Sequence, residues 1–133
     1  AEALIPSISS FIKEIIPITA QSYAGVNNHS VQVDGWLADV DIQDCLDYRI
    51  LLIEDIIDSG QTLAVLREFF FRRGARSVSV VSLLSRIDLS SGFDDCHNHI
   101  GRYLHDERFV VGYGLDYRGL FRDLDSISYL EVG

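Results

Sequence analysis

The stretch from Tyr48 to Leu84 leaves this chain few ways to fold. It begins with YRILLI, an apolar run broken only by Arg49 and short enough for a strand buried on both faces of a parallel sheet. Residues 62–73 then place Leu63, Leu66, Phe69 and Phe70 on one helical face, with Arg72 and Arg73 in the last turn and Gly74 just beyond. Residues 77–84, SVSVVSLL, supply a second strand and complete a strand, helix, strand unit. The fold class that follows is α/β, a mainly parallel sheet flanked by helices.

The flanks fit around that unit. Leu4, Ile5, Ile8, Phe11, Ile12 and Ile15 recur at spacings of three and four, one face of an amphipathic helix reaching to about Ile15, with Pro6 tolerated in its first turns. Ile18 to Tyr23 reads as a short strand, Gly25 to Asn28 as a loop. Ser30 to Val33, followed by Asp34-Gly35 and then Trp36 onward, has the pattern of a two-residue hairpin, an excursion expected to be flexible. The polar residues 85–107 read mostly as loop, 108–111 as a strand and 126–132 as the last strand. Without repeats or a composition break, residues 1–133 are expected to form one domain.

Composition narrows the function classes. With 133 residues, 47% of them apolar, one core can form without metals or disulfides. No apolar run approaches the roughly 18 residues of a membrane span, so no membrane association is expected. Cys45 and Cys96 are the two cysteines, and in so aliphatic a domain they suggest free thiols and a cytoplasmic location. A net charge of −9 opposes nucleic-acid binding, which needs clustered Lys and Arg to replace counterions. Acidic chains instead hold phosphates with helix N-terminal amides and with a divalent cation shared between carboxylates and ligand. Because Lys13 is the only lysine, any cationic side chain at a site should be an arginine. The chain opens AEALIP and contains no Met, so an N-terminal piece is expected to be missing.

Ligands of open parallel sheets gather at the carboxyl ends of the strands. Glu54 and Asp55 fall at such an end, a pair suited to a vicinal diol or a hydrated magnesium ion. Asp58-Ser59-Gly60-Gln61-Thr62 follows at the mouth of the helix, where small and hydroxylic residues let backbone amides approach a phosphate. No G-x-x-x-x-G-K precedes it, so this is not a Walker A loop. Asp94, Asp95, Cys96, His97 and His99 have the composition of a metal site but not zinc spacing, and a solvated loop is favoured.

ILLIEDIIDSGQT, residues 50–62, resembles the phosphoribosyl pyrophosphate signature of the type I phosphoribosyltransferases. FVVGYGLDYRGLFR, residues 109–122, resembles the purine-binding segment of the hypoxanthine-guanine members, and Gln21-Ser22-Tyr23 the start of their mobile loop. The resemblance implies transfer of phosphoribose to a 6-oxopurine with release of pyrophosphate. It implies that Glu54 and Asp55 hold the ribose hydroxyls with magnesium, that Asp58 is the general base beside the purine N7, and that Ser59, Gly60, Gln61 and Thr62 cradle the 5′-phosphate. Phe109 would stack on the purine, the Val110 backbone would read its edge, and Asp116 would hold a second magnesium through water. Arg122 would meet the pyrophosphate, and Ser22 and Tyr23 would close over the centre. Gln61 and Arg86 stand where the family usually has lysines, the second of which contacts the purine 6-oxygen. The family's N-terminal strand and pyrophosphate loop have no counterpart within residues 1–133. The resemblance also implies a homo-oligomer, dimer or tetramer. Alternatives are a non-catalytic sensor of phosphoribosyl pyrophosphate and a transferase for another base.

Overall fold

The computed structural model describes residues 5–15, 20–22, 31–33, 45–90 and 97–131. Its elements in chain order are α1 (Ile5–Ile8), a 3-10 turn (Ser9–Phe11), β1 (Ala20–Ser22), β2 (Val31–Val33), β3 (Arg49–Ile57), α2 (Gln61–Arg72), β4 (Ser77–Ser85), β5 (Asn98–Tyr103), β6 (Phe109–Val111) and β7 (Ser128–Leu130). The centre is a parallel three-stranded sheet of order β3-β4-β5, with Glu54 opposite Ser82, and Ser82 opposite Ile100. Two antiparallel pairs stand beside it, β1 with β2 and β6 with β7.

The expected strand, helix, strand unit is present and carries the main core. β4 alternates along its length, burying Val78, Val80, Ser82 and Leu84, as period-two geometry requires of a strand with one face against a helix. α2 buries Leu63, Leu66 and Phe70 against Leu52, Ile57, Val78 and Val80. Fully burying each such side chain is worth about 1.5–3 kcal/mol. Gly74, at φ 82°, ends the helix with its N–H donated to Phe71 O at 3.0 Å. Asp47 N to Gly74 O and Arg76 N to Tyr48 O then tie the helix exit to the start of β3. A second cluster, Leu84, Leu104, Val110 and Leu115, packs the far end of β4 against the β6 region. That cluster is what brings the two halves of the site together.

Three expectations change. The N-terminal helix stops after Ile8, and a 3-10 turn leads to an extended Ile12, leaving Phe11 89% exposed. Ser9 Oγ donates to Pro6 O at 3.2 Å, the local hydrogen bonding by which serine competes with helix continuation. Residues 98–103, expected as loop, form β5, whose pattern of half-buried and exposed residues marks a sheet edge too polar to show apolar periodicity. β3 continues through the acid pair to Ile57 and forms the other edge of the described sheet, with Leu51 exposed, so it is not buried on both faces. Val31–Val33 pairs with Ala20–Ser22 in antiparallel register, and the residues after Trp36 that the hairpin pattern names lie outside the described residues. The Asp34-Gly35 turn lies outside the described residues, as do Asp94, Asp95 and Cys96.

Candidate functional site

An open cleft of about 1090 Å³ lies where β3, β4 and β5 end, lined from one side by Asp55, Asp58 and Ser59 and from the other by Phe109, Val110 and Asp116. Arg86, at the exit of β4, lines it between them, and Arg122 stands at its rim. Thus segments about fifty residues apart in the chain, 55–59 and 109–122, are brought to one concavity.

Glu54 and Asp55 are consecutive strand residues, and consecutive side chains leave a strand on opposite faces. Asp55 lines the cleft, and its Oδ1 accepts the Ile56 N–H at 2.7 Å. Glu54 is half-buried and is not among the lining residues. Burial, and then the charge of Asp55, push the Glu54 carboxyl above the usual glutamate range.

The loop between β3 and α2 is short because Gly60 turns it in the left-handed region, at φ 74°. A Cβ there would run into Ile87 Cδ1, so both conformation and space select glycine. The first amides of α2, at Gln61 and Thr62, have no carbonyl one turn back within the helix, which leaves the Thr62 N–H without an acceptor from the helix itself. Ser59 Oγ accepts the Gln61 N–H at 3.4 Å.

Asp58 is 80% exposed in its side chain, while Arg86 beneath it is 16% exposed and approaches Asp58 Oδ1 with Nε at 3.1 Å. The other two guanidinium nitrogens donate to backbone carbonyls, Nη1 to Asp106 O and Nη2 to Arg108 O, the latter at 2.8 Å. Asp106 Oδ2 in turn accepts from Arg108 Nη2 at 2.7 Å and Nε at 3.0 Å, and this hydrogen bonding holds the Asp106 carboxyl below the ordinary aspartate value. Arg108 also stacks over the Tyr129 ring at 3.7 Å.

Phe109 is exposed toward the cleft and meets Tyr117 edge to face, with ring centroids 5.3 Å apart. Asp116 accepts the Gly119 N–H at 2.6 Å through Oδ2 and pairs with Arg122 Nη2 at 2.9 Å through Oδ1. Ser22 contributes its backbone to β1, and Tyr23 lies outside the described residues. Among the described residues no three of His, Cys, Asp and Glu cluster as a ready-made metal site. Sequence reasoning missed His105, Asp106 and Glu107, which line the cleft just after β5. The strand they follow carries no apolar periodicity, so only the general rule that ligands gather at strand ends could have found them.

The fold is that of a type I phosphoribosyltransferase. A structure of a hypoxanthine phosphoribosyltransferase from Staphylococcus aureus superposes with a TM-score of 0.66 at 31% identity, covering 86% of this chain and 60% of that one. A hypoxanthine-guanine phosphoribosyltransferase from Bacillus anthracis gives 0.65 at 28% identity, covering 86% and 65%. The hypoxanthine-guanine phosphoribosyltransferase of Bacillus subtilis is 44% identical over 87 residues, 62% of this chain and 44% of that protein. The chain is thus a relative of the hypoxanthine-guanine phosphoribosyltransferases, and it spans less than half the length of the curated relatives it matches. No family model matches it.

Proposed function

We propose that the protein transfers phosphoribose from phosphoribosyl pyrophosphate to a 6-oxopurine, forming the N9–C1′ bond as the bond from C1′ to pyrophosphate breaks. The observation that carries this is the meeting of Asp58, Ser59 and Phe109 around one cleft, in a chain related to enzymes of that name. Ser59, Gly60, Gln61 and Thr62 hold the 5′-phosphate through amides at the start of α2. Asp55, the member of the acid pair that lines the cleft, holds the ribose hydroxyls, while Glu54 leaves β3 on the other face and is not carried into this role. Phe109 stacks on the base, and the Val110 backbone reads its edge. Asp58 draws a proton from the ring at N7, which makes N9 the better nucleophile and is worth about 10² to 10⁴ in rate. Arg122 meets the pyrophosphate, and Ser22 and Tyr23 act over the centre, keeping water from the oxocarbenium-like sugar.

Magnesium fits the donor set. Asp55 and Asp116 offer carboxylate oxygens on the cleft, and with no three-ligand cluster among the described residues the ion would complete its shell from ligand oxygens and water, as Mg²⁺ usually does. Asp55 would hold one ion and Asp116 a second. When bound, the metal neutralises charge on the departing pyrophosphate.

We place the enzyme in the cytoplasm as a homo-oligomer; no helix among the described residues is long and apolar enough to cross a membrane, and Leu120, Phe121 and Leu124 are exposed apolar groups that a subunit contact would cover. A spectrophotometric assay with hypoxanthine, guanine, xanthine and adenine, each with magnesium and phosphoribosyl pyrophosphate, tests the proposal. The 6-oxopurines hypoxanthine and guanine should be converted and adenine should not. Conversion of adenine alone would point to another transferase, and binding without turnover of any base to a sensor.

A further inference from the structure

We infer that Arg86 is a positioning residue that locks the proton acceptor and the base-stacking strand into one unit, in place of the base-reading role that the resemblance implies. The inference rests on the proposed role of Asp58 as general base. All three nitrogens of the guanidinium are already engaged by the protein: Nε by Asp58, Nη1 by Asp106 O and Nη2 by Arg108 O. The backbone at Arg86 is committed as well, its N–H donated to Ile57 O at 2.8 Å, one residue before Asp58. The two carbonyls lie in the turn that leads into β6, and the second belongs to the residue that precedes Phe109. A planar fork suits this task, because it fixes three acceptors in one plane at once, whereas an ammonium is a compact point donor.

Turning Arg86 toward a ligand would take a mostly buried guanidinium away from Asp58 and leave two carbonyls without that donor, an outcome that desolvation penalises. Its effect on the base therefore runs through Asp58 and through the backbone that carries Phe109. The Asp106–Arg108 pair, with Arg108 stacked on Tyr129, braces the same turn from its outer side.

A double-mutant cycle tests this, with kcat for hypoxanthine measured in the wild type, Arg86→Ala, Asp58→Asn and the double variant. If Arg86 acts through Asp58, Arg86→Ala lowers kcat by about tenfold or more alone and by less than about twofold in the Asp58→Asn background. The hypoxanthine-to-adenine preference stays as in the wild type, and Arg86→Lys recovers little. Additive effects, a narrowed base preference in Arg86→Ala, or full recovery by Arg86→Lys would each overturn the inference. Arg86→Gln, which keeps much of the stem, serves in the cycle if the alanine variant does not fold. Independently of turnover, hydrogen exchange over residues 105–111 should be faster in the variant, and unchanged protection there would overturn it too. A wild type that turns over no base strikes at the proposed function instead, and the exchange measurement then decides on Arg86.

Discussion

Glu54 carries a charge that its position penalises, since burial and the neighbouring Asp55 both raise its carboxyl above the ordinary range. The folded state therefore binds this proton more tightly than the unfolded chain does. Its favourable contribution is complete below the unfolded value and is lost as pH rises through the raised folded value. Glu54→Gln should accordingly match the parent in thermal stability at about pH 3.5 and exceed it at about pH 7, by less than about 1 kcal/mol because the group is partly solvated. A parent that gains on the variant as pH rises would refute the assignment. Gly60 presents the opposite case, a residue with no side chain whose absence is required. Its left-handed φ and the proximity of Ile87 mean that Gly60→Ala should cost about 1–3 kcal/mol in a denaturant titration and weaken phosphoribosyl pyrophosphate binding. An alanine variant as stable as the parent would remove the strain from the account of this loop.

At the scale of elements, burial separates residues that look alike in the sequence. Leu66 and Phe11 both sit at helix-spaced apolar positions, yet Leu66 is 3% exposed beneath α2 and Phe11 is 89% exposed after α1. Leu66→Ala should lose about 2–5 kcal/mol of unfolding free energy, while Phe11→Ala should stay within about 0.5 kcal/mol. Equal losses would restore the longer N-terminal helix that the spacing of apolar residues suggests. The contrast also explains what was legible. α2 and β4 could be recognised because a dry helix face and a central strand both impose apolar periodicity, and Gly74 announced the stop. β5 could not, because NHIGRY sits at a sheet edge and owes its pairing to the backbone of β4 more than to its own side chains. The two ends of the cleft, 50–62 and 109–122, were readable as motifs, since each packs its special residues into one short segment. The bridge between them was hidden: Arg86 meets Asp106 and Arg108 across about twenty residues of chain, and only the folded sheet brings them together.

For the molecule as a whole, the net charge of −9 sets the terms on which a polyphosphate can enter. Phosphoribosyl pyrophosphate carries several negative charges, and the cleft that would receive it is lined by Asp55, Asp58, Asp106, Glu107 and Asp116. The cations that line it are already paired within the protein, Arg86 with Asp58 and Arg122 with Asp116. Amides at the start of α2 can meet one phosphate group, with each favourable contact at a helix terminus worth about 0.3–1 kcal/mol, but they do not offset repulsion between a pyrophosphate and several carboxylates. A divalent ion placed between them turns that repulsion into attraction. Binding of phosphoribosyl pyrophosphate should therefore weaken by at least about tenfold when magnesium is removed, a change of about 1.4 kcal/mol or more. Calorimetric titration of the protein with phosphoribosyl pyrophosphate, with magnesium and again with a chelator, reads this directly. Asp116→Asn should reduce the difference between the two titrations, since it removes one carboxylate that both repels the ligand and holds the ion. Equal affinity in both conditions would show that the acidic lining plays no part in binding and would sink the arrangement of Asp55 and Asp116 around magnesium.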